Sequence, residues 1–82
     1  MGDSEFTAAG CTAAVHKALK AAEVGDSDYE VRSHKEDDHV ISDVQISGWT
    51  TPNQTKHIVA ALKDIEDAKA SVNGKSVTLK FG

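Results

Sequence analysis

A single cysteine, Cys11, excludes an intrachain disulfide and leaves the redox compartment unread. Basic residues are in short supply, with Lys and Arg numbering 9 against 13 Asp and Glu, a formal net charge of −4 and a pI near 5.4. An acidic chain with scattered lysines lacks the electrostatic footprint of a phosphate-backbone binder, so nucleic acid is disfavoured as a partner. No apolar run approaches the roughly 20 residues of a membrane-spanning helix. The polar opening Met1-Gly-Asp-Ser-Glu is not a signal peptide. Two origins remain open, a cytoplasmic protein or a piece whose targeting segment has been removed. Residues 1–5 read as a flexible N-terminus, either native or in part a cloning remnant. Catalytic and nucleotide-binding motifs are missing as well. The sequence therefore predicts no enzyme and no cofactor.

With 82 residues, 39% of them apolar, the chain sustains one small domain over 6–82. A core this thin suits a single layer of helices on one sheet. The clearest structural signal is the stretch 44–62. Val44 and Ile46 alternate with Gln45 and Ser47, the period of a half-buried strand, and Gly48 ends the run. Thr51-Pro52-Asn53-Gln54 then opens a helix: Thr51 caps, Pro52 fits the first helical position, and Gln54 completes a capping box. Ile58, Leu62 and Ile65 follow at helical spacing.

The other elements follow by the same logic. Cys11, Val15, Ala18, Leu19 and Ala22 form one stripe of a helix over 6–22, with Asp3, Ser4 or Thr7 as its cap and Gly25 as its stop. Strands are predicted over 29–34 and 40–47 as an antiparallel hairpin around the charged loop 35–38. After the second helix, runs over 68–72 and 75–81 flank Asn73-Gly74, a strong hairpin signal. With Val72 and Lys75 flanking the turn, Ala70 faces Val77 and Ala68 faces Leu79. The predicted fold is α+β, in the order α-β-β-α-β-β, with two helices on one face of a four-stranded, mostly antiparallel sheet. Offsetting the first helix by 43 residues matches Val15 with Ile58 and Leu19 with Leu62, so the chain reads as two helix–hairpin units.

Few residues offer themselves for function. His34 and His39 flank the acidic loop, where two imidazoles near carboxylates suit a borderline metal. Cys11 is the other candidate ligand, although its place on the apolar stripe favours core packing. Trp49, the only tryptophan, follows Gly48. If the strand continues through it, Trp49 joins Ile41 on the outer face as a contact anchor; the alternative places it over the core beneath Pro52.

On these residues the stretch 44–65 resembles the middle of a BON domain. Gly48 matches that family's strand-ending glycine, and 12–22 its leading amphipathic helix. The resemblance spans about residues 7–81 and implies a non-enzymatic module that associates with phospholipid or other cell-envelope partners. It also implies an envelope or periplasmic location after removal of a signal peptide. A second stretch, Phe6-Thr-Ala-Ala-Gly-Cys11 with Ala14-Val15 and Ala18-Leu19, is similar to the metal loop and first helix of heavy-metal-associated domains. Ala8 stands where the first of their two metal cysteines belongs, and one thiolate cannot make that site. A metal-binding or metal-sensing domain using Cys11, or His34 and His39, is the alternative reading. A protein–protein adaptor working through an exposed sheet edge is the third.

Overall fold

A computed structural model describes residues 6–82. The expected flexible N-terminus, and with it the caps Asp3 and Ser4, lies outside the described residues. Thr7 caps the first helix, α1 (Ala8–Ala21), its hydroxyl accepting from the Gly10 amide at 2.9 Å. The helix stops earlier than the glycine at 25 suggested. Glu23 takes the left-handed conformation (φ 63°), its amide donates to Lys20 O, and the Val24 amide donates to Leu19 O, both at 2.9 Å. This is a Schellman motif, and Val24 and Leu19 both enter the core.

A short 3-10 turn (Asp26–Asp28) leads to β1 (Tyr29–Glu36) and β2 (His39–Ile46). β1 is longer than the predicted 29–34, β2 starts one residue before the predicted 40, and the charged loop contracts to Asp37-Asp38, with Glu36 paired to His39. Lys35 and Glu36 are exposed, so their charge stays hydrated and nothing prevents the ladder from continuing. Conversely, β2 ends at Ile46 rather than Ser47. The second helix, α2 (Pro52–Lys63), opens with the full Thr51–Gln54 capping box.

Strands β3 (Ala68–Asn73) and β4 (Ser76–Phe81) form the second hairpin with a register two residues from the expected one. Val72 faces Val77, Ala70 faces Leu79 and Ala68 faces Phe81. The turn is Gly74-Lys75, with Gly74 at φ 63° in the first central position. A shift of two preserves the pleat, so the apolar residues keep their face. It also gives the bulky Phe81 the small Ala68 as its neighbour.

The sheet order is β1-β2-β4-β3, and every pair is antiparallel. Helix α1 lies on β1 and β2, α2 on β3 and β4, and the helices touch one another. Val40, Val44 and Ile46 of β2 and Val77, Leu79 and Phe81 of β4 meet Val15, Leu19, Ile58 and Leu62 in one core cluster. Each such burial removes about 1.5–3 kcal/mol worth of apolar surface from water. Within the core face, fully buried Ser42 is satisfied by a hydroxyl chain: Ser42 to Ser33 at 2.7 Å, then Ser33 to Thr12 at 2.6 Å. Among the described residues no helix covers the opposite face of the sheet, which is largely polar. There the Ser76 hydroxyl donates to Gln45 at 2.9 Å and the Thr78 hydroxyl donates to Asp43 at 3.2 Å.

Candidate functional site

Trp49 sits in the 47–51 connection between β2 and α2, and its side chain is 63% exposed. Exposure on that scale places it over solvent, not over the core beneath Pro52. Because β2 ends at Ile46, Trp49 is also not a strand residue, and its expected company with Ile41 does not arise. Ile41 lies five residues back along β2 from its end at Ile46, about 17 Å at strand rise. It stands half-buried on the open face, flanked by His34 of β1 and Lys80 of β4.

The backbone that carries Trp49 is held from three sides. From below, the Ser47 amide donates to Asp28 O at 2.9 Å and the Ser47 hydroxyl to Ser27 O at 3.0 Å. From within, Thr50 is buried, its hydroxyl donating to Ser47 O at 2.8 Å and meeting the Thr55 hydroxyl at 3.0 Å. From the side, the Lys75 ammonium reaches over from the β3–β4 turn. It donates to Gly48 O and Thr50 O, both at 2.8 Å, and to Ser47 O at 3.4 Å. One cation thus satisfies the carbonyls on either side of Trp49. A large aromatic on a loop already ordered loses little entropy when a partner covers it. The same end of the molecule carries Asp26 and Glu30, which together with Gln45, Ser47 and Gly48 border one shallow depression, while Asp28 lines a neighbouring one.

The β1–β2 hairpin gathers the two candidate histidines around one carboxylate. His34 Nε2 lies 2.8 Å from Glu36 Oε2, His39 Nε2 lies 3.7 Å from Glu36 Oε1, and His39 Nδ1 lies 3.3 Å from Asp38. The hydrogen bond from His39 holds the Asp38 carboxyl below its usual range. Glu36 is half-exposed, so these pairs are screened and contribute little to stability. Among the described residues, no three His, Cys, Asp or Glu side chains gather in an arrangement that could hold a metal ion. Cys11 is elsewhere, 1% exposed in the core, and desolvation pushes its thiol up. It packs there as a small hydrophobe of the core cluster.

Two features had no sequence signal. Lys75 follows a turn glycine and looks like any exposed turn lysine. His57, on a helix flank, donates from Nε2 to Ala22 O at 2.7 Å, tying α2 to the end of α1. It borders a groove of about 490 Å³ floored by Ala18, Ala21, Ala22, Ala60, Ala61 and Ile65. Alanines at helical spacing read from sequence as helix formers, and the groove exists only once the two helices pack.

Comparison with protein-family models, with curated proteins and with solved structures finds no match. The α+β architecture stands on the structure itself.

Proposed function

We propose that this protein is a non-enzymatic binding module that anchors a partner through Trp49. The observation that carries the reading is the sole tryptophan, exposed on a loop whose flanking carbonyls are fixed by Lys75. The BON resemblance supplies the partner class, a phospholipid surface or another component of the cell envelope. Asp26, Asp28 and Glu30 at the same end repel anionic headgroups, so a zwitterionic or protein surface fits better than an anionic one.

Trp49 reports its own contact. Emission is recorded while the protein is titrated with phosphatidylcholine vesicles, and separately with vesicles containing phosphatidylglycerol. Insertion gives a blue shift with the first lipid, a smaller one with the second, and loss of co-sedimentation in Trp49→Ala. Emission unchanged by both lipids removes the phospholipid partner. An envelope protein that binds Trp49→Ala as tightly as the parent chain removes Trp49 as anchor.

A further inference from the structure

The free edge of β3 differs from that of β1 in a way that selects a partner. Along β1 the open-face positions are Glu30, Arg32, His34 and Glu36, and Lys35 crosses to donate to Phe6 O at 3.2 Å. Charge of this kind blunts an edge. Strand β3, Ala-Lys-Ala-Ser-Val-Asn, has a single charge and no proline, and every one of its residues pairs in step with β4, without a bulge. Its Val72 is 42% exposed.

The direction of the β3 backbone groups follows from one hydrogen bond. The Ile46 amide donates to Lys75 O at 2.8 Å, so odd-numbered β4 positions turn toward β2 and even-numbered ones toward β3. Asn73, Ser71 and Lys69, which face Ser76, Thr78 and Lys80, therefore spend their amides and carbonyls on β4. Those of Val72, Ala70 and Ala68 point outward, and of these the Ala68 amide is already bonded to Ile65 O at 3.3 Å. Among the described residues, what is left free is both groups of Ala70 and of Val72, and the Ala68 carbonyl.

We infer that β3 pairs with the β3 of a second copy of this chain, antiparallel about a two-fold axis at Ser71, to make one eight-stranded sheet. In this register Ala70 meets Val72 of the other copy and Val72 meets Ala70, which satisfies the outward amides and carbonyls of both residues with their counterparts. Lys69 falls opposite Asn73, so no like charges oppose one another along the pair. The exposed Val72 gains cover on the helix side.

The helix layer fits the same spacing. Each helix covers two strands, about 9.6 Å of sheet, within the 8–10 Å of packed helices. Continuing the sheet through β3 sets α2 beside its counterpart at that distance. Helical phase turns Val59, half-buried, toward this flank, because His57, Ala60 and Ala61 face the groove with α1. The pairing is independent of Trp49, which lies in another connection.

The full chain is examined by sedimentation equilibrium over a concentration series, with two cysteine variants oxidised mildly. Ser71→Cys places two thiols across the axis at a non-hydrogen-bonded pair, a separation a disulfide bridges, whereas Lys69→Cys places them several residues apart. The expected result is a reversible dimer and cross-linking at least about tenfold faster in Ser71→Cys than in Lys69→Cys. Ala70→Pro removes an outward amide that makes no bond within the fold, and Val72→Lys sets a charge in the seam. Each weakens the dimer about tenfold or more, with circular dichroism showing the fold retained. A monomer at all concentrations overturns the pairing. So does a dimer in which Ser71→Cys cross-links no faster than Lys69→Cys, or one that Val72→Lys leaves intact.

Discussion

Glu23 occupies the C′ position of α1 at φ 63°, where a side chain is crowded and glycine is not. Its replacement by glycine is expected to stabilise the protein by about 1 kcal/mol, read as a higher urea midpoint at unchanged slope. An unchanged or lower midpoint would show that the Glu23 side chain compensates the backbone. The absent glycine is also why the helix end was not legible: the hydrogen bonds of the Schellman motif are present, but the residue that usually announces them is not. Ionisation is the other lever at this scale. Burial pushes Cys11 above the ordinary 9.0 of a thiol; burial, and then the Asp26 charge, push Tyr29 above 10.0. In the native state both groups keep their protons to higher pH than in the unfolded chain. Stability is therefore fully present below about pH 9 and falls as pH rises beyond it. Denaturant midpoints measured at about pH 8 and about pH 10.5 check this, and Cys11→Ala should flatten the first part of the decline.

At the level of elements, the best-read feature was the start of α2. Thr51, Pro52 and Gln54 lie within four residues of one another and act through local hydrogen bonds, so the sequence contains the whole interaction. The β3–β4 hairpin was read correctly in position and face but not in register. Asn73-Gly74 matches the preferred turn pair, yet the structure turns on Gly74-Lys75, leaving Asn73 in the strand opposite Ser76. This choice has a consequence for the Trp49 connection. With Lys75 in the turn, its carbonyl reaches the Ile46 amide and its ammonium reaches the carbonyls of Ser47, Gly48 and Thr50. Lys75→Met keeps the stem and removes the donors. The variant should lose about 1–2 kcal/mol of stability and exchange the amides at 49 and 50 faster with solvent. Exchange rates equal to those of the parent chain would mean that the loop is held by Thr50 and Ser47 alone.

For the molecule as a whole, the α-β-β-α-β-β order and the covering of one sheet face followed from periodicity alone, because each strand of the two hairpins alternates and each helix carries one stripe. The 43-residue offset had physical content: Val15 and Ile58, and Leu19 and Leu62, are all buried. Strand order was not legible. The central pair β2·β4 joins residues more than 30 apart, and nothing local to either strand records it. The candidate site was legible only as a residue type. Trp49 stood out by rarity, whereas its separation from Ile41, the meeting of His34 and His39 on Glu36, and the brace from Lys75 all depend on tertiary placement.

The rings of Phe6 and Phe81 stand 5.7 Å apart, and the Phe6 carbonyl accepts from Lys35. The first and last described segments thus meet beside the turn of the β1–β2 hairpin. Chain direction is then incidental to the packing: a short linker from residue 82 to residue 6, with the backbone opened at Asp37-Asp38, leaves every strand neighbour and both helix contacts in place. Such a circular permutant would begin on β2 and end on β1, turning one of the two central strands of the sheet into the first one made.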